Sequence, residues 1–224
     1  MNHLIDDIQN QFFDLDISIV LDQYSKDVNK YHTLSHIDYC LKEVSQTFCK
    51  LNVFDTPVSS IEFEAIKLAI LFHDAIYDPQ KTDNEEKSVE FFNQFCNNNK
   101  QIKNEIVNLV KPAILATKSH KLPDSVDQYN SNSVVNAITV MTDLSVFYMT
   151  PHHFDLYDDQ IRNEYSFVHE KIFKSARKTI LNTFLQEAKN NTLFKFCKKN
   201  SFHRKLNRMA FENCERILKE RYSI

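Results

Sequence analysis

Ile66-Lys67-Leu68-Ala69-Ile70-Leu71-Phe72-His73-Asp74-Ala75-Ile76-Tyr77-Asp78-Pro79 is the stretch on which the fold turns. From Ile66 to Phe72 it is nearly continuously apolar, so a helix here belongs inside a core rather than on a surface. Ser60, Glu62 and Glu64 precede it as a helix start, where a hydroxyl and carboxylates suit the unpaired N–H groups and the positive pole of the dipole. The apolar run passes directly into His73-Asp74. Its end is expected near Asp78-Pro79, because the residue before a proline disfavours helical backbone angles. Two titratable side chains are thereby delivered to the end of a core helix. Burying such groups is expensive unless they are hydrogen-bonded, reach solvent or hold a metal.

Working outward, helical periodicity recurs along the whole chain. Ile5 to Phe13 and Ile17 to Tyr24 read as two short helical pieces around Asp14-Leu15-Asp16. From Thr33, the positions Ile37, Leu41, Val44, Phe48 and Leu51 alternate spacings of four and three, one apolar helix face. After a loop at Asp55-Thr56-Pro57 and the core helix, Asp83 or Asn84 caps a helix through Phe95, with Glu85 and Glu86 in its first turn. Ile102 to Thr117 follows, with a kink expected at Pro112. Lys121 to Ser133 is a polar loop, and Val134 to Phe147, a helix opened by Pro151, Phe167 to Leu185 and Phe202 to Leu218 complete the set. There is no internal repeat and no shift in composition. The reading is a single all-α domain over 1–224, with 1–24 as an N-terminal helical extension packed on it.

Composition agrees. The 224 residues contain no glycine and 5 prolines. Without glycine there is no phosphate-cradling loop, no dinucleotide fingerprint and no G-x-S-x-G elbow, and a sheet with many tight hairpins is disfavoured. Five widely spaced cysteines, Cys40, Cys49, Cys96, Cys197 and Cys214, contain no C-x-x-C and fit reduced thiols. The N-terminus lacks a basic and apolar leader, and no apolar run reaches the roughly 18 residues of a membrane span. A soluble, cytoplasmic protein with no membrane partner is expected. A net charge of −3 argues against binding to nucleic acid.

The residues able to carry chemistry each have a plain structural reading as well. With nine histidines and seventeen aspartates, about 0.7 His-Asp pairs arise by chance, so His73-Asp74 alone is no motif. His32 and His36 lie one helical turn apart and can share a face toward a metal, or simply be surface histidines. Lys118 and His120 can face a phosphate, or end a helix at the negative pole of its dipole. Glu85 and Glu86 can hold a second metal or a water, or serve the first turn of a helix. Asp78 also reads as a turn residue and Asn84 as a cap. Lys195, Lys198, Lys199, Arg204, Lys205 and Arg208 are interrupted by apolar residues, which favours a solvated helix face over a binding surface.

Taken in order, these residues resemble the HD-domain superfamily of metal-dependent phosphohydrolases, whose signature is a His, then His-Asp, then a distant Asp. More narrowly, Tyr31-His32-x-x-x-His36-Ile37, Phe72-His73-Asp74-Ala75-Ile76-Tyr77-Asp78-Pro79, Asn84-Glu85-Glu86-x-Ser88, Thr117-x-x-His120, Asp143-Leu144 and Arg162-x-Glu164-Tyr165 look like a bacterial-type family of HD phosphohydrolases. The resemblance runs from about Tyr24 to the C-terminus. It implies a helical HD-type domain with a metal site in its core, the ligands being His36, His73, Asp74 and Asp143. Such a mixed nitrogen and oxygen set suits Mn, Fe, Co, Ni or Zn, while Mg prefers more oxygen. The implied activity is hydrolysis of a small phosphorylated substrate, foremost a nucleotide, by metal-activated water, with Asp74 also orienting or deprotonating that water. The spacing of His32 is similar to that in cyclic-nucleotide phosphodiesterases, which implies that His32 protonates the leaving oxygen. In that frame Lys118 and His120 bind phosphate and Glu85 assists at the metal. The chain departs from the family at Met141 and Tyr148, where an aspartate and a glycine are usual. These departures motivate the alternative of a non-catalytic sensor that binds a nucleotide or a metal without turnover.

Overall fold

The computed structural model describes residues 2–12, 14–48, 57–122, 127, 130–196 and 202–222. Cys49, Leu51, Asp55, Thr56, Pro123, Cys197, Lys198 and Lys199 lie outside the described residues. The fold is all-helical, with no strand among the described residues. In chain order the helices are α1 (Asn2–Gln9), α2 (Ser18–Leu21), α3 (Leu34–Glu43), α4 (Ser60–Phe72) and α5 (Asn84–Asn98), then α6 (Asn104–Thr117), α7 (Ser131–Asp143), α8 (Pro151–Glu164), α9 (Glu170–Lys189) and α10 (Phe202–Arg221). None is long and apolar enough to cross a membrane. By their internal contacts the residues divide into two compact units, Met1–Asp143 and Leu144–Ile224.

In the first unit α4 is the central element, packing on α3, α6 and α7. Ala65, Ile66, Leu68, Ala69, Ile70, Leu71 and Phe72 are all fully buried, as a helix apolar on every side must be. It starts at Ser60, as expected, with the residue before it as the cap. Ser59 is the cap, accepting from the Glu62 N–H at 3.2 Å, while Glu62 accepts from the Ser59 N–H at 2.8 Å in a reciprocal capping box. Its end is earlier than expected, at Phe72 rather than near Pro79. The proline sets only a downstream limit, and local bonds end the helix first: the Ala75 N–H turns back to the Phe72 carbonyl at 3.1 Å.

The loop that follows is held by α5. The Asp78 N–H donates to Asn84 Oδ1 at 3.1 Å, Asn84 Nδ2 donates to the Asp78 carbonyl at 3.0 Å, and the Ile76 N–H donates to Ser88 Oγ at 3.1 Å. Asp83 occupies the capping position of α5 without a side-chain cap bond, and Asn84 faces the loop instead. Phe72 seals the junction from below, its ring 5.0 Å from Phe92 and 5.1 Å from Phe95.

The other boundaries shift for similarly local reasons. Pro112 lies inside α6. Helix α7 starts three residues before Val134, where Asn130 Oδ1 accepts from the Ser133 N–H, and gives way after Asp143 to a tighter 3₁₀ segment, Leu144–Tyr148. In the second unit Pro151 occupies the first turn of α8, as expected. Helix α9 ends in a left-handed Asn191 (φ 57°), with the Thr192 N–H returning to the Glu187 carbonyl at 2.8 Å and the Asn191 N–H to Ala188 at 3.0 Å. That arrangement normally uses glycine.

Buried polar groups tie the three long helices of this unit together. Arg177 Nε donates to Asp158 Oδ1 at 2.9 Å, and both side chains are almost fully buried. The Tyr222 hydroxyl donates to Asp158 Oδ2 at 2.8 Å. Asn213 Nδ2 donates to the carbonyls of Phe147 and Met149. Tyr148 is buried here, edge-on to Phe194 at 5.1 Å.

Candidate metal centre

Three helices of the first unit deliver four side chains to one point. His36 comes from the first turn of α3, His73 and Asp74 follow the last residue of α4, and Asp143 is the last residue of α7. One donor atom from each lies within 4.8 Å of all the others, and His36, His73 and Asp143 are buried. The group can hold a metal ion. Two helix C-termini, with their negative dipole ends, meet here beside two carboxylates, so the point calls for positive charge.

The orientation of His73 is the clearest sign of what that charge is. Its Nδ1 lies 2.9 Å from the Ile70 carbonyl, so Nδ1 carries the proton and Nε2 faces inward. Nε2 is buried, sits 2.9 Å from Asp74 Oδ2 and 3.5 Å from Asp143 Oδ1, yet makes no aligned hydrogen bond. An inward lone pair beside two carboxylate oxygens suits a cation, and the anchored second nitrogen is how metal-binding histidines are usually held. His36 Nε2 lies 3.4 Å from Asp143 Oδ1 and 3.8 Å from Asp74 Oδ2.

The protonation states follow from burial set against charge. Burial lowers the pKa of His36 despite the neighbouring carboxylates, favouring the neutral form that ligates. Burial also works against charge on His73, but the Asp74 and Asp143 carboxylates outweigh it and hold its pKa well above the usual value. Burial would raise the two aspartates; the His73 charge outweighs it at Asp74, and the imidazoles of His120, His36 and His73 around Asp143 outweigh it there. Both are held below the usual carboxylate range. With no metal, a proton on His73 does part of a cation's work.

Other residues singled out in the sequence fall into two places. His32 and His120 sit at the rim of the group. His32 Nε2 is 3.9 Å from Asp74 Oδ2, and His120 Nε2 is 3.2 Å from Asp143 Oδ2 although nearly half of the His120 side chain is exposed. Burial of that inner end opposes charge on His120, but Asp143 prevails and raises its pKa. Its backbone is left-handed at φ 50°, an uncommon conformation for a residue with a Cβ. Lys118 and Glu85 are drawn into a different group. Lys118 Nζ donates to the Thr82 carbonyl at 2.7 Å and to Glu86 Oε1, and lies 3.9 Å from Glu85 Oε2. Asp78 is tied up in the loop held by Asn84.

Three neighbours were not assigned a role from sequence. The Tyr24 hydroxyl donates to the Leu71 carbonyl at 2.7 Å beneath the site. Cys40 Sγ lies 3.7 Å from His36 Nδ1, one helical turn on, a spacing that could have revealed it. Burial raises its thiol pKa well above the ordinary range, so it stays protonated. Tyr77 stacks on His32 with ring centroids 3.8 Å apart, and no local spacing signals that contact. No protein-family model, no curated protein and no solved structure matches the chain closely enough to count as similar.

Proposed function

We propose that the protein is an HD-type metal-dependent phosphohydrolase acting on a small phosphorylated substrate, with a nucleotide as the leading candidate. The observation that supports this most is the inward His73 Nε2, anchored through Nδ1 and facing Asp74 and Asp143, with His36 completing a two-histidine, two-carboxylate set. A divalent ion bound there supplies Lewis acidity to a phosphoryl oxygen and lowers the pKa of a water nucleophile.

The chain's own residues then divide the remaining work. Asp74 turns one oxygen toward His73 and lies within reach of His32, where it can orient a water or accept its proton. His32, at the rim and only partly buried, is placed to give a proton to the leaving oxygen. His120 donates toward Asp143 and leaves the rest of its ring open to solvent, the side from which an anionic substrate would arrive. Lys118, held by Glu86, contributes to phosphate binding only by leaving that pair. The absence of glycine is no obstacle, because a site built from side chains on helix ends needs no close approach of backbone to phosphate.

The test is metal analysis of purified protein followed by hydrolysis of p-nitrophenyl phosphate, bis(p-nitrophenyl) phosphate and a nucleotide panel. Wild type, His73→Ala and Asp74→Ala are compared. Bound metal with hydrolysis lost in both variants supports the proposal. Bound metal with no hydrolysis of any compound supports the sensor reading instead, and absence of metal from wild type refutes the metal-dependent hydrolase reading.

A further inference from the structure

We infer that Tyr77 is a positioning residue for His32, set in place by the first two turns of α5. The inference rests on the proposed role of His32 as proton donor. The His32 ring is held on two sides: Tyr77 lies against its face, 3.8 Å between centroids at 26°, and Tyr31 meets it edge-on at 5.0 Å and 81°. Contacts on two sides restrict rotation of this loop imidazole about its two side-chain bonds. Held this way, its Nε2 points to Asp74, 3.9 Å away.

Tyr77 is itself rigidly placed. The residues on either side of it carry the bonds to α5: Ile76 to Ser88, and Asp78 to both ends of the Asn84 amide. Ser88 is fully buried, and its hydroxyl contacts both the N–H and the carbonyl of Ile76. Asn84 and Ser88, one turn apart on α5, therefore fix the backbone at 76 and 78, and the side chain between them lands on His32. This gives the Asn84-x-x-x-Ser88 pattern a function that needs no contact with substrate.

The solution test uses protein labelled at histidine and tyrosine, with His32 signals assigned by their loss in His32→Asn. In metal-free wild type, His32 ring protons are expected upfield of the other histidines from the Tyr77 ring current, with a cross-relaxation peak between the two rings. Tyr77→Phe should keep the shift, Tyr77→Leu should abolish it, and Asn84→Ala with Ser88→Ala should reduce it. Absence of the peak in wild type, or unchanged His32 signals in Tyr77→Leu, overturns the inference without any variant having to be active.

A kinetic arm then reads the consequence. Phenyl phosphate has a poor leaving group that needs a proton, whereas p-nitrophenolate leaves without one. Tyr77→Leu should therefore lower kcat on phenyl phosphate by about 10²-fold and on p-nitrophenyl phosphate by less than about tenfold, with KM little changed and Tyr77→Phe restoring the rate. Equal losses on both esters overturn the positioning role. Wild type inactive on both esters, on bis(p-nitrophenyl) phosphate and on the nucleotide panel overturns the hydrolase reading alone, and the ring-current result still decides whether Tyr77 fixes His32.

Discussion

Replacing His73 by glutamine separates the charge of that side chain from its volume, and the geometry sets how much should follow. In the metal-free protein the Asp74 and Asp143 oxygens lie no more than 4.8 Å apart, and the His73 charge lies between them. At that separation two unit charges repel by about 3.5 kcal/mol with an effective dielectric constant near 20. His73→Gln removes the charge between them and leaves His120 beside Asp143 as a counter-charge at the rim, so this figure bounds the loss from above. For a chain of this size each kcal/mol moves the melting temperature by roughly 2–4 °C, so the metal-free variant should melt lower by at most about 7–14 °C. In wild type, a divalent metal at 100 times its Kd adds about 2.7 kcal/mol, or roughly 5–11 °C. The variant, lacking one of four donors, should show less than about a third of that gain at the same metal concentration. Circular dichroism melts of both proteins, with metal and with chelator, read all four numbers. Equal metal-free melting temperatures would refute the electrostatic role of His73, and equal metal-induced gains would refute its role as a ligand.

Metal uptake should also depend on pH in a direction fixed by the same residue. His73 has a raised folded pKa, so its stabilising charge is fully present below about 6.5 and is lost as pH rises through the raised value. A metal must displace that proton; affinity should therefore climb as pH rises from about 6 toward the raised pKa, with roughly one proton released per metal at pH 7. Titration calorimetry in buffers of different ionisation enthalpy measures this, and zero release would contradict it. In the second unit, Arg177→Met removes one partner of a buried pair and leaves the Asp158 carboxylate with Tyr222 and Arg221. It should cost about 3–5 kcal/mol by denaturant unfolding, much of it recovered by adding Asp158→Leu; a loss under about 1 kcal/mol would show that the pair is not holding the helices.

The core helix was readable from Ile66 to Phe72 because its signal is local and strong, and an apolar run that ends in His73-Asp74 says where polar groups must be accommodated. The four-residue spacing of His32 and His36 left surface histidines equally open, and it does not lie on one helix face, because His32 precedes α3. Asp143 was different: nothing in Met141-Thr142-Asp143-Leu144 distinguishes this aspartate from the other sixteen, and only a family resemblance singled it out. Boundaries moved where a bond from outside the element decided them, as with Asn130 before α7. The pairing of Lys118 with Glu86 and the stacking of Tyr77 on His32 join residues 32 and 45 positions apart. Neither leaves a trace in spacing, since both exist only once the helices have packed.

The two left-handed residues among those described, His120 and Asn191, stand where other chains would often place glycine, and they would fare differently under a selection for heat resistance. At Asn191 the side chain makes no recorded demand, so Asn191→Gly could be accepted freely there. At His120 the same change would relax the backbone and at once remove the donor to Asp143. A screen that rewarded stability alone would thus tend to erode the His/Asp group through position 120, and the persistence of histidine there under a screen for activity would mark the conformational strain as the cost of a working site.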